Sequence, residues 1–185
     1  MDPASNVTVL RNSGELAAFA LECADLALHC AERSRLDQAR CEGTRCVLVW
    51  TGPRGARRLA GLVPFGAPSF YRGLPLLALK SCAPLLRSGC EQGALHALLE
   101  WFRADGEGAA LLVFRALSRH GTVYRALAEV ARQREQLVLA ATAADGSRTL
   151  LVSDRRWNEL STATLPLLRW AKRSTASLVY GSLDL

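Results

Sequence analysis

The sequence predicts an α/β (α+β) domain, a mixed central sheet with helices on both faces. Three observations predict it. Half of the 185 residues are hydrophobic, 22% are charged and 6% are aromatic, with neither glycine nor a heptad dominating. That balance is globular and excludes fibrous and disordered chains. Segments of helical period alternate with short runs rich in β-formers. An antiparallel hairpin signal precedes that alternation, so the sheet is mixed rather than all parallel.

The elements follow in order. Asn12 caps a first helix, with Glu15 three residues on completing a capping box. Leu16, Phe19, Ala20, Cys23, Leu26 and Cys30 then repeat at helical spacing. The polar stretch from Arg33 to Glu42 reads as a frayed end and loop. Arg45 to Trp50 and Arg58 to Phe65 are β-rich and flank a stretch dense in turn formers, which predicts a hairpin. Pro64 lacks an N–H and belongs at a strand end or on an unpaired edge. Leu74 to Leu79 and Pro84 to Leu86 are strand-like, with an interruption near Cys82. A helix over 91–103 buries Leu95, Leu98, Leu99 and Phe102. A central strand runs from Ala109 to Phe114. A second amphipathic helix covers 122–134, with Val123, Leu127 and Val130, then Tyr124, Ala128 and Ala131, turned inward. Strands over 136–141 and 148–152 flank the turn signal Asp145-Gly146. After Ser153 the composition shifts to Ser, Thr and Trp. Leu167 to Arg173 reads as a basic helix and Ser177 to Tyr180 as the start of a strand.

Charge and cysteines bound the function classes. The chain carries 23 basic and 17 acidic residues, a net charge of +6, and Lys80 and Lys172 are its only lysines. Arginine suits phosphates and carboxylates because its planar fork gives paired hydrogen bonds. A high-GC coding bias explains the same excess. No basic stripe with interleaved aromatics points to nucleic acid. No apolar run approaches the roughly 18 residues that span a bilayer. The six cysteines form no Cys-x-x-Cys pair and no finger-like spacing with histidine, so we expect no metal and read the cysteines as small hydrophobes. The first residues lack a basic segment and an apolar run, so no signal peptide is read and a reducing cytoplasm is expected.

The element order is similar to that of the GNAT acyltransferases. Four stretches also resemble the N-terminal half of the CelD/BcsL-type acetyltransferases, a cellulose-biosynthesis branch related to FemAB-like double-GNAT proteins. They are Leu59 to Phe65, Cys82 to Leu86, Leu98 to Arg103 and Ala109 to Phe114, within about residues 10–152. Members of that family are about twice this length. The resemblance therefore implies a GNAT-like N-terminal domain over 10–152 and a linker helix with the truncated start of a second half over 153–185. It implies acyl transfer from acetyl-CoA or another acyl-CoA to an amine or hydroxyl acceptor, such as a polysaccharide, lipid or cell-envelope precursor. A second GNAT half or a homodimer is the implied partner. A non-catalytic GNAT-like binding module is the alternative.

GNAT enzymes hold the coenzyme A pyrophosphate on a loop and helix N-terminus, where amides and the helix dipole favour anionic oxygens. The literal motif match, Arg103 to Gly108, follows a helix and opens a strand, so it reads as a helix C-terminus with glycines at positive φ. The topologically matching place is Arg87 to Gly93, between a strand and a helix. There Arg87, Ser88, Gly89 and Gly93 are the candidate cofactor-binding residues, and Glu91 opposes an anion. A plain strand-to-helix connection is the other reading. No catalytic residue is assigned. Tyr71 and Tyr124 fall in no matching motif, Tyr124 reads as core, and His29, His96 and His120 read as surface or satisfied histidines. Nucleophile-elbow, P-loop and Rossmann motifs are absent from the sequence.

Overall fold

The computed structural model describes residues 6–30, 45–53, 56–67, 69–71, 74–78, 84–118, 120–134, 136–142, 148–156 and 177–180. The expected class is the one observed, a mixed α/β architecture with flanking helices. The strands divide between two sheets. The first contains β1 (Val7–Leu10), β2 (Arg45–Thr51), β3 (Arg58–Phe65) and β6 (Leu85–Leu86), in the order β1-β2-β3-β6 and antiparallel throughout. The second adds β4 (Ser69–Tyr71), β5 (Leu74–Ala78), β7 (Leu111–Leu117), β8 (Gln136–Thr142), β9 (Arg148–Arg156) and β10 (Ser177–Tyr180). Its order is β10-β8-β9-β7-β5-β4, and β5 runs parallel to β7.

Both faces of the first sheet are covered. On one lie α1 (Ser13–Ala17) and α2 (Ala20–His29). Leu26 and Cys30 pack there against Cys46, Leu48, Leu59, Leu62 and Leu85. On the other lies α3 (Glu91–Ala104), and beside it α4 (Thr122–Gln133) packs on β8 and β10 of the second sheet. Leu95, Leu98, Leu99, Leu127 and Val130 belong to one core with Val47, Val49 and Val63 of the first sheet and Leu112, Phe114 and Val152 of the second. Double coverage explains why β2 and β3 read as near-continuous apolar runs rather than alternating ones.

The hairpin 45–51/58–65 forms as predicted. Pro64 is the penultimate residue of β3, beyond Gly61 and Leu62, the two positions that β6 pairs. The capping box is present: the Glu15 N–H donates to Asn12 Oδ1 at 3.0 Å, and the Arg11 N–H donates to Glu15 Oε2 at 2.8 Å. The first helix, expected as one piece, breaks at Ala18 and Phe19. The Phe19 N–H turns back to the Leu16 carbonyl, and the Phe19 ring packs on Trp50 at 5.7 Å between centroids. β1 and β4 are additional to the sequence reading. Residues 33–42, Cys82 and the segment 167–173 lie outside the described residues.

β3 is irregular at one point. Its register against β2 shifts between Val49, opposite Gly61, and Trp50, opposite Leu59, which leaves Ala60 as a bulge residue. A bulge redirects the strand locally. Here the carbonyls of both Leu59 and Ala60 accept hydrogen bonds from the same residue, Arg87.

Candidate functional site: a cleft at two helix N-termini

β6 ends at Leu86, and the chain reaches α3 through Arg87, Ser88, Gly89 and Cys90. The Cys90 N–H closes a turn onto the Arg87 carbonyl at 3.0 Å, and Gly89 sits in it at φ +80. That backbone favours glycine, because a Cβ is strained there. α4 begins in the same way after β7, with Gly121 in extended conformation before Thr122.

The two helix starts share a cleft of about 430 Å³ lined by Gly89, Glu91, Gln92, Thr122, Arg125, Ala126 and Glu129. The first N–H groups of a helix have no intrahelical carbonyl, and the dipole places partial positive charge there. In α3 the first amide to find a carbonyl is that of Ala94, which donates to Cys90 at 2.9 Å. The amides of Glu91, Gln92 and Gly93 precede it. A Cβ on Gly89 or Gly93 would meet nothing within 4 Å, so the backbone there is openly approachable.

The structure separates the predicted residues by role. Gly89 lines the cleft, and Gly93, in the first turn of α3, is not among its lining residues. The Ser88 N–H is engaged by the His29 carbonyl at 3.0 Å. Arg87 faces the other way: its Nε donates to the Leu59 carbonyl at 2.9 Å, and its guanidinium pairs with Asp25. Its side chain is 11% exposed. The cation that does line the cleft is Arg125, on α4, which the sequence reading missed. Among the described residues its side chain has no ion-pair partner. Its natural partner four positions on is Glu129, but that carboxylate is held by Arg132 and Gln133. Arg132 and Gln133 also hold the Glu129 carboxyl below the usual carboxylate range. No local signal marks Arg125, because what brings the start of α4 beside the start of α3 is tertiary packing of the two helices.

The other sequence candidates are not among the residues that line this cleft. Tyr124 is half-buried against the main core. Tyr71 is in β4, and His120 is in the turn before α4. His29 is on α2, with Nδ1 at 2.8 Å from the Asp25 carbonyl. His96 is on α3, at 3.5 Å from Arg134. Arg103 to Gly108 forms the end of α3 and a 3-10 turn before β7, as expected of a helix terminus, with Gly108 at positive φ but not Gly106. Cys23, Cys30, Cys46 and Cys90 form no disulfide. Among the described residues no helix is long and apolar enough to cross a membrane.

No family model and no curated protein matches this sequence. Solved structures do. The chain is similar to an acetyltransferase of the GNAT family from Streptococcus pneumoniae, at 12% identity over 79% of this chain and 96% of that one, with a TM-score of 0.40. It is similar to yncA from Salmonella typhimurium, solved with its cofactor acetyl-CoA, at 14% identity over 85% and 97%, with a TM-score of 0.41. It is also similar to the ribosomal-protein-S18-alanine N-acetyltransferase from Escherichia coli, at 10% identity over 84% and 97%, with a TM-score of 0.41.

Proposed function

We propose that this protein is a GNAT-type acyltransferase that binds acetyl-CoA or another acyl-CoA in the cleft between the α3 and α4 N-termini. The observation that carries the reading is the convergence there of two helix starts with Arg125. Backbone amides, helix dipoles and a guanidinium together suit a pyrophosphate. The sequence resemblance to the CelD/BcsL branch supplies the reaction. An acceptor amine or hydroxyl attacks the thioester carbonyl, the C–S bond breaks, and the coenzyme leaves as its thiol with the acceptor's proton. The chain's own contribution is to bind and orient: Gly89 and Gly93 give close backbone approach, and Arg125 offsets charge. The reading includes a second lobe, from a longer polypeptide or a second copy, that completes the acceptor side.

A second reading is a coenzyme- or acceptor-binding module without catalysis. It is favoured by the shortage of a general base: of the two acids in the cleft, Glu129 is engaged by Arg132, leaving Glu91. Isothermal titration with acetyl-CoA, paired with an assay for released thiol, decides. Saturable binding that weakens about tenfold in Arg125→Gln, the loss of one charge-assisted contact, supports the cleft. Binding without thiol release across a panel of amines supports the module. No heat and no competition by coenzyme A overturns both.

A further inference from the structure

We infer that Asp25 is a positioning residue for the anion-binding turn, tying it through Arg87 to the end of α2 on the opposite face of the first sheet. The inference rests on the acyl-CoA reading for its ligand, and on the bonds of Arg87 for its geometry.

Arg87 is held from several sides. Its N–H donates to the Ala60 carbonyl at 2.8 Å and its Nε to the Leu59 carbonyl at 2.9 Å, the two carbonyls presented by the β3 bulge. Its terminal nitrogen pairs with Asp25 Oδ2. The backbone makes a bridge to Cys30, and the next residue's N–H donates to the His29 carbonyl. The Arg87 carbonyl in turn accepts the Cys90 N–H that closes the turn around Gly89. One residue thus connects α2, β3 and the turn that leads into the cleft amides.

Asp25 is the anionic member of this set. It is half exposed, while the guanidinium it meets is nearly buried. Its other oxygen lies 3.3 Å from His29 Nδ1. Arg87 and, less strongly, His29 and Arg58 hold its carboxyl below the usual range. Without Asp25 the guanidinium keeps its carbonyl bond but loses its countercharge in a poorly hydrated place, and it moves toward water. The turn that carries Gly89 moves with it, because the same residue anchors both. Order in α2 and affinity in the cleft are then coupled, and the coupling is reciprocal.

The experiment uses the full chain and coenzyme A as the probe. Asp25→Asn is compared with Asp25→Glu, which keeps the charge, and with Arg87→Lys, which keeps the cation but removes the fork. The dissociation constant is measured alongside amide hydrogen exchange of residues 88–93 without ligand. The expected result is faster exchange at 88–93 in Asp25→Asn and Arg87→Lys, with coenzyme A binding weaker by about fivefold or more. Partial recovery of both is expected in Asp25→Glu. In a turnover assay the loss appears in KM for the acyl donor with kcat retained. Unchanged exchange and affinity in Asp25→Asn overturn the tether. If Asp25→Asn does not fold, Arg87→Lys is read by the same criteria. Wild-type protein that binds no coenzyme A, but whose 88–93 amides exchange faster in Asp25→Asn, overturns the ligand reading and leaves the tether standing.

Discussion

Gly93 and Gly61 make opposite demands. Gly93 is the third residue of α3, exposed, and a Cβ there meets nothing within 4 Å. Alanine is the better helix residue, so Gly93→Ala gains about 0.5–1 kcal/mol in urea unfolding. If phosphate oxygens approach the first-turn amides, the added methyl stands in their way, and coenzyme A binding weakens in the same variant. A variant that is more stable and binds as tightly would move the phosphates away from this turn. Gly61 is different: its Cβ would lie 2.9 Å from a buried Leu86 methyl and 3.6 Å from the Leu85 carbonyl. Gly61→Ala therefore costs about 1–3 kcal/mol, the range for overpacking a filled site, and Gly61→Val costs more and displaces β6. At this scale the sequence was legible where partners are close along the chain. Asn12 and Glu15 announce their own bond. Arg87 does not, because Asp25 is 62 positions away, and the composition of the loop suggested a phosphate for a side chain that binds its own protein.

Helix and strand identities were legible wherever a period ran long enough. α3 and α4 match their predicted ranges within a residue, and the leucine and valine positions read as inward are buried because they repeat at helical spacing over several turns. Tyr124 and Ala128, by contrast, are only partly buried, and Ala94, Trp101 and Ala126 are buried beyond the reading. β1 was not legible: it has four residues, and its pairing partner β2 lies more than thirty positions on. The break between α1 and α2 was hidden too, because it is made by Phe19 turning to Trp50, a tertiary contact. What joins α3 to α4 beyond apolar packing is Glu100 with Arg134, whose side chains are 31% and 9% exposed. Arg134 chiefly, with His96 and Arg103, holds the Glu100 carboxyl below its usual range. A carboxyl depressed by folding adds stability above its unfolded pKa, about 4.3. That stability is lost as the pH falls through the lower folded value. Glu100→Gln is therefore less stable than wild type at pH 7, by about 1 kcal/mol given its partial exposure. The gap closes as the pH drops below about 4. Urea midpoints of both proteins between about pH 2 and 7 test this, and a gap independent of pH would assign the loss to packing rather than charge.

For the whole molecule the arrangement of sheets matters more than their strand count. The alternation of helices and strands made the α+β class readable. The division into two sheets was not, because pairing between β3 and β6 and between β5 and β7 leaves no local mark. The division expected at residue 153 falls inside β9, and β10 pairs with β8 in the second sheet. The cleft draws one helix from each sheet, α3 after the edge strand β6 and α4 after the interior strand β7. A ligand bound there stabilises only the arrangement in which both are formed. Coenzyme A at about a hundred times its dissociation constant would then add about 2.7 kcal/mol to the stability of the whole domain. For a domain of this size that raises the melting temperature by roughly 5–10 °C. The ligand is anionic and the protein carries a net charge of +6, so the shift should shrink as salt rises from low concentration toward about 0.5 M. Thermal unfolding followed by calorimetry tests both points. A single transition that moves as a unit and is salt-sensitive fits a site shared between the sheets. Two transitions of which one moves would confine the ligand to one sheet and its helix, and the convergence of α3 and α4 would then not be what binds it.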